Sequence, residues 1–251
     1  MQSYSALSKL YDVFMDNVPY NEWAEFLKEE LYKEDIREGL LLDLGCGTGK
    51  MTNIFSDMGY DMTGIDNSTY MLEEAISTRG ERDILYLCQN MQEFELYGTV
   101  KAVFSVCDCI NYILSKDELV NCFKLVNNYL DPKGLFIFDF NTKYKYKELI
   151  GEQTIAENRD EGSFIWDNYY YEDSDINEYE LTIFLKREDG LYEKFEELHQ
   201  QKGYDFDEMK ALVEEAGLLF VKAYDGYKNE DVNDKSERIV MICRENGKIG
   251  G

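Results

Sequence analysis

The chain has two prolines in 251 residues and one histidine, His199. With so few prolines, and with no internal repeat or low-complexity linker, nothing marks a flexible joint. One domain over residues 1–251 is expected. One histidine cannot build a Cys/His zinc site, and the six cysteines include no CxxC pair. No metal is therefore expected, and free thiols suit a reducing, cytoplasmic setting. No stretch approaches the roughly 18 apolar residues of a membrane helix. The opening MQSYSALSKLYDVFMDNVPY has neither the basic nor the apolar region of a signal peptide. Basic residues are also scarce, at 26 Lys and Arg against 51 Asp and Glu, for a net charge of −25. Such a surface repels phosphate backbones and anionic lipid, which argues against nucleic-acid and membrane partners. It would draw in a cationic small molecule, although solvation alone also accounts for it. There is no Ser/His/Asp triad pattern and no cysteine–histidine pair at motif spacing.

What is present is an alternation of short apolar runs with amphipathic ones. Two helices open the chain, near Tyr4–Asp16 and Tyr20–Lys33. LLLDLG (Leu40–Gly45), YDMTGID (Tyr60–Asp66), ILYLCQ (Ile84–Gln89), VKAVFSVCD (Val100–Asp108) and LFIFDF (Leu135–Phe140) read as strands. Helices lie between them, one capped by Ser68 and one over Lys116–Leu130 that Asp131-Pro132-Lys133-Gly134 stops. From about 150 to 204 the pattern alternates residue by residue, with turns at Asp173–Asn177 and Asp189-Gly190, as in antiparallel strands. A helix (Asp205–Gly217) and two strands close the chain. The expected fold is α/β: a Rossmann-like, seven-stranded, mostly parallel sheet with helices on both faces. Its last strand is antiparallel, and an antiparallel β cap is inserted over about 150–204.

LLDLGCGTGK (Leu41–Lys50) places three glycines in five residues between a buried strand and a helix. Bare glycine backbone lets a ligand approach closely, and the helix start offers free N–H groups. The Walker A loop does not fit, because Leu44 stands where its first glycine belongs and Met51 follows Lys50. The dinucleotide fingerprint GxGxxG fits only in part, because Gly45, Gly47 and Gly49 bring the third glycine one residue early. An NAD-type turn stays open as a competing reading. Asp43, inside the strand, belongs to neither motif. Asp66 ends the second strand, where a carboxylate can accept from both hydroxyls of a ribose.

D-x-G-x-G-x-G resembles the signature of class I S-adenosylmethionine-dependent methyltransferases. Beyond it, LYDVFMDNVPYNEW, CDCINYIL, FDFNTKYKYKELIG, DGLYEKFEELHQQKGY and SERI resemble YqeM-like small bacterial methyltransferases over nearly the whole chain. The layout is also similar to that of glycine/sarcosine N-methyltransferases. The resemblance implies S-adenosylmethionine as cofactor and S-adenosylhomocysteine as product. It assigns Asp43, Gly45, Cys46, Gly47 and Gly49 to the cofactor turn, Asp66 to the ribose, and Asn67 and Met71 to the adenine. It puts Asn90 and Met91 where relatives usually carry Asp-Met; an Asn oxygen still accepts from the adenine amine, without charge. VFSVCDCINYIL brings Cys107 to the methionine part of the cofactor. It is not the [DN]PP[YF] signature of amide and adenine N-methylation. Residues 1–36 are expected to form a helical lid, with Tyr11 over the cofactor and Tyr20 and Trp23 behind it.

The aromatic cap is expected to select the acceptor. Trp166, Tyr169, Tyr170 and Tyr171 crowd one strand, with Trp166, Tyr170 and Tyr20 the candidate acceptor contacts; packing of the cap onto the sheet is the alternative. His199 is the candidate base or acceptor-orienting group, or else a structural link between cap and core. Asn111 and Tyr112 are the other candidate acceptor contacts. The expected activity is in-line transfer of a methyl to a small molecule, N-methylation ahead of O-methylation, by a monomer or homodimer. A tRNA or protein acceptor, and a cofactor-binding module without transfer, remain alternatives.

Overall fold

The computed structural model describes residues 7–248. The expected first helix begins at Tyr4, outside these residues; its described part is α1 (Leu7–Phe14). Then follow α2 (Tyr20–Lys33), β1 (Leu40–Leu44), α3 (Lys50–Asp57), β2 (Asp61–Asp66), α4 (Thr69–Thr78), β3 (Ile84–Cys88) and β4 (Val100–Ser105). A 3₁₀ turn (Cys109–Tyr112) leads to α5 (Lys116–Tyr129) and β5 (Leu130–Asn141). A π-helical turn (Lys145–Ile150) leads into β6 (Thr154–Asn158), β7 (Gly162–Tyr171), β8 (Ile176–Lys186) and β9 (Tyr192–Lys202), before α6 (Phe206–Glu215), β10 (Leu219–Asp225) and β11 (Arg238–Arg244).

Seven strands form one sheet in the order β10-β11-β5-β4-β1-β2-β3. β11 is antiparallel to both β5 and β10, while β3, β2, β1, β4 and β5 run parallel. Alternation along the strands divides the core in two. Leu42, Leu44, Val103, Phe136 and Phe138 pack toward α5 and α6. Leu41, Ala102, Phe104, Leu135 and Ile137 pack toward α2 and α3. Both faces are covered, which is why these strands read as continuous apolar runs. The reversal of order between β1 and β4 opens a crevice at the strands' C-terminal ends, where ligands bind in open α/β sheets.

Ser68 caps α4 as expected, its side chain accepting from the Met71 N–H. Asp131-Pro132-Lys133-Gly134 follow the end of α5 as expected, but β5 begins before them. Leu130 already pairs with Val100, and the four residues form a bulge before Leu135 pairs with Ala102, with Lys133 at φ +67°.

The inserted strands form a second sheet, β6-β7-β8-β9, antiparallel throughout. Its inner face carries Trp166 and Asn168 from β7, Tyr179, Leu181 and Ile183 from β8, and Glu197, His199 and Gln201 from β9. The buried amides of Asn168 and Asn177 exchange two hydrogen bonds of 2.8 Å, so neither polar group is left unmet under the cap. α1 wedges between cap and main sheet: Leu10 and Phe14 pack on Leu181 and Ile183, and Phe14 meets Phe164 edge to face at 4.7 Å. No described helix is long and apolar enough to cross a membrane.

Candidate active site

At the end of β1 the three glycines take left-handed φ values of +85°, +52° and +77° at positions 45, 47 and 49, a region L side chains rarely enter. The N–H groups of Gly45 and Cys46 both donate to the Ile65 carbonyl, fixing the turn against β2. A Cβ on Gly47 would meet nothing within 4 Å, so its backbone faces open space. Gly49 differs. It caps α3, and a Cβ there would lie 2.4 Å from the Tyr86 hydroxyl oxygen; it packs the turn and does not line the crevice.

Asp43 lies beneath the turn, 1 % exposed. Its Oδ2 accepts from Thr52 Oγ1 at 2.5 Å, and its Oδ1 is buried with no hydrogen-bond partner. Burial pushes its carboxyl up to about 7, against the opposing bond from Thr52. Asp66, at the end of β2, accepts from Gly47 N at 2.9 Å and from Ser68 N at 2.8 Å. Burial raises its carboxyl too, and those backbone bonds oppose the rise. Asn67, Met71, Asn90 and Met91 continue the same wall, with Asn90 Oδ1 accepting from Gln92 N. Tyr11 lines the crevice from α1, beside Asp12, which accepts from Thr48 Oγ1 at 2.7 Å and pairs with Lys50 at 3.3 Å. α1 is thereby latched to the glycine turn.

β4 stops at Ser105, three residues before the end read from the sequence. Cys107 and Asp108 then both take left-handed φ values, +61° and +53°. Consecutive non-glycine residues there cost about 1–3 kcal/mol each, and their surroundings must hold them. Asp139 of β5 does so, its buried carboxylate accepting from Cys107 N at 3.0 Å and Asp108 N at 2.6 Å. Arg238 bridges Asp139 and Asp108 at 2.7 Å each, and Tyr227 donates to Asp139. Cys107 lines the crevice, and its thiol lies 3.8 Å from the Tyr20 hydroxyl.

Across the crevice the cap presents Trp166, Tyr179 and His199. His199 is 2 % exposed and stacks on Tyr179 with ring centroids 4.9 Å apart. Its Nε2 lies 3.1 Å from a Glu197 carboxylate oxygen and its Nδ1 3.4 Å from the Tyr112 hydroxyl, which is 2.6 Å from that of Tyr179. A carboxylate only accepts, so Nε2 carries a hydrogen toward Glu197 and Nδ1 faces the Tyr112 hydroxyl.

The sequence candidates thus converge on the crevice except for Gly49, described above, Asn111 and Tyr170. Asn111 is fully buried and spent on backbone: Nδ2 donates to the carbonyls of Asn141 and Lys202, and Oδ1 accepts from Asn141 N. It ties cap to core and does not line the crevice. Tyr170 lies beyond the crevice, its hydroxyl donating to Asp175 at the β7–β8 turn. Trp23 stacks on Tyr227 at 4.1 Å, behind the crevice wall. Tyr20 does line it. Sequence reasoning missed Asp139 and Arg238, as well as Tyr146, Lys145 and Gln201, which also line or support the crevice.

The crevice is one continuous cavity of about 980 Å³, running from Gly47 to the inner face of the cap. Residues 41–134, from β1 into β5, match the methyltransferase domain model. A protein of Geobacillus sp. (strain WCH70) that bears the name "Putative methyltransferase" is 31 % identical over 97 % of this chain and 100 % of its own. The chain belongs to the S-adenosylmethionine-dependent methyltransferases. The methyltransferase also superposes on a solved S-adenosylmethionine-dependent methyltransferase from Clostridium acetobutylicum, with a TM-score of 0.87 at 25 % identity, covering 97 % of this chain and 99 % of that one. The S-adenosylmethionine-bound structure of CalS10, an amino pentose methyltransferase from Micromonospora echinaspora, shares the fold with a TM-score of 0.74 at 15 % identity, over 94 % and 95 % of the two chains. The cofactor of this methyltransferase is S-adenosylmethionine.

Proposed function

We propose that this methyltransferase methylates a nitrogen of a small molecule seated between the cap, α1 and the C-terminal ends of β4 and β5. The observation that carries the reading is the single cavity, which joins the bare backbone at Gly47 to Trp166, Tyr179 and His199. Its volume is at the top of the roughly 300–1,000 Å³ common for one small ligand, so a second small molecule fits beside a first. A module that only sensed the cofactor would fill that second space with side chains.

Three features suit the cofactor. Gly47 offers backbone without a Cβ, Asp43 Oδ1 is a buried acceptor awaiting a donor such as an ammonium, and Asp66 keeps lone pairs for ribose hydroxyls. Bound S-adenosylmethionine supplies an electrophilic methyl on sulfur. The protein's task is then to align the acceptor, exclude water and hold the acceptor's proton. Tyr20, Trp166 and Tyr179 supply aromatic walls that suit a cationic amine. Tyr112 and His199 Nδ1 give that proton a path, with Glu197 holding the His199 tautomer. The N-terminal helices act as a lid and residues 150–204 as the cap of one domain. A small acceptor is supported by the cover that α1 and the cap put over the cavity, and an amine by the charge of −25 and by the amino sugar acceptor named for CalS10.

Calorimetry with S-adenosylmethionine and S-adenosylhomocysteine, on wild type and Asp66→Ala, tests the cofactor site. Micromolar binding that collapses in the mutant is expected. Amine and alcohol panels with methyl-labelled cofactor then test the acceptor: label on nitrogen supports the proposal, and label confined to oxygen or sulfur overturns it.

A further inference from the structure

Three lysines and arginines line the cavity, Lys50, Lys145 and Arg238. Lys50 pairs with Asp12, and Arg238 with Asp108 and Asp139. Lys145, on the π-helical turn after β5, has no carboxylate within 4 Å among the described residues; its Nζ donates to Asn141 Oδ1 at 2.9 Å. Of the acids whose charge reaches Lys145, Glu237 is exposed, and Asp139 and Asp108 are already committed. Asp139 accepts from Cys107 N, Asp108 N, Arg238 and Tyr227, and Asp108 from Arg238 and Gln201. An ammonium has three donors, and Asn141 takes one.

We propose that Lys145 anchors an oxyanion of the methyl acceptor, a carboxylate or a phosphate, so that the acceptor is an amine bearing an acidic group. Single π-turns are frequent at functional sites, and this one begins shortly after the end of β5, with Lys145 lining the crevice. Burial and then the Arg238 charge push the Lys145 amine below its ordinary range, so its ammonium is held in a place that penalises it. A bound anion would relieve that penalty and fill the remaining donors. The outer field and the inner lysine then act on two ends of one molecule: the charge of −25 attracts the amine and Lys145 selects the acid.

The proposal rests on the small-amine reading above, and its test separates the two. Protein saturated with S-adenosylhomocysteine is titrated calorimetrically with ω-amino acids from glycine to 5-aminopentanoate, with O-phosphoethanolamine, with the matched amino alcohols, and with simple carboxylates. At least one acidic amine is expected to bind wild type and to weaken by about tenfold or more in Lys145→Met, with Lys145→Arg retaining binding. Unchanged S-adenosylhomocysteine affinity in Lys145→Met shows that the variant folds. Tighter binding of amino acids than of phosphoethanolamine names a carboxylate, and the reverse a phosphate. If carboxylates lacking an amine bind equally well, the anion site stands and the amine reading falls. If no acidic probe binds the loaded protein, or if Lys145→Met binds them as wild type does, the proposal is overturned.

Discussion

Replacing Asp43 by Asn isolates a carboxyl that the fold buries at a cost. Asp43 is 1 % exposed, one oxygen has no partner, and burial lifts its pKa from 3.8 to about 7. At about 1.4 kcal/mol per pH unit, that rise corresponds to about 4 kcal/mol. The sign follows from where the proton sits. Well below the ordinary carboxylate range Asp43 is protonated folded and unfolded, so the stability difference between variant and wild type is flat. Between 3.8 and about 7 the unfolded chain releases the proton and the folded chain keeps it, so wild type loses stability against Asp43→Asn as pH rises. Above about 7 both states are ionised and the difference levels about 4 kcal/mol further toward Asn than its acid plateau. Urea unfolding of both proteins across this range, without cofactor, reads the difference directly. Parallel stability curves would refute the argument. The stabilised variant should also bind S-adenosylmethionine poorly, a stability gain bought with function. If Asp43 meets the cofactor's ammonium, binding at about pH 6 releases a proton from wild type, and the calorimetric heat then varies with the buffer's ionisation enthalpy.

Gly47→Ala should weaken cofactor binding while costing only about 1–2 kcal/mol of left-handed strain, because its Cβ enters open space. Gly64→Ala should do the reverse, lowering stability at near-normal affinity per folded molecule, because its Cβ would sit 2.8 Å from the Tyr86 ring and 2.9 Å from Cys46 Sγ; thermal unfolding beside calorimetry separates them. Asp12→Ala should release α1 from Thr48 and Lys50, seen as faster amide exchange in Leu7–Phe14. With an acceptor in hand, His199→Ala should lower kcat by about 10²-fold or more at unchanged cofactor affinity.

The glycine turn was legible because three left-handed positions in five residues leave glycine as the only easy choice, while the resemblance to class I methyltransferases, not the spacing alone, pointed to its ligand. The strand–helix alternation was legible because both faces of the sheet are covered. Other parts left no local signal. Asp139 and Arg238 are 99 residues apart and read as one acid in an apolar strand and one base near the end of the chain. Lys145 sits in KYKYKE, which looks like a solvated charged run until the π-turn aims one lysine inward. Asn111 misled because a polar residue beside the donor strand suggests chemistry, whereas a cap joined to a core has backbone groups that must be satisfied. Asp131-Pro132-Lys133-Gly134 marked the end of α5 but hid the start of β5 at Leu130, because residues that stop a helix can also make a bulge.

The ion pair missed in the sequence sets how the two walls of the cavity stand. Cys107 and Asp108 are held left-handed by Asp139, which accepts from their N–H groups and pairs with Arg238 in a buried place. Asp108 in turn accepts from Gln201 on β9, and Gln201 accepts from Tyr146 in the π-turn. The cofactor-side turn, the cap strand that carries His199 and the turn that carries Lys145 therefore share one hydrogen-bonded cluster. Arg238→Met should cost about 3–5 kcal/mol by leaving Asp139 buried and unpaired. More tellingly, it should weaken both S-adenosylhomocysteine and acceptor-probe binding in whatever protein remains folded, because the strained turn and the cap lose their common support. Loss of stability with both affinities intact would mean that the cluster only holds the fold together, and that the cap finds its position without it.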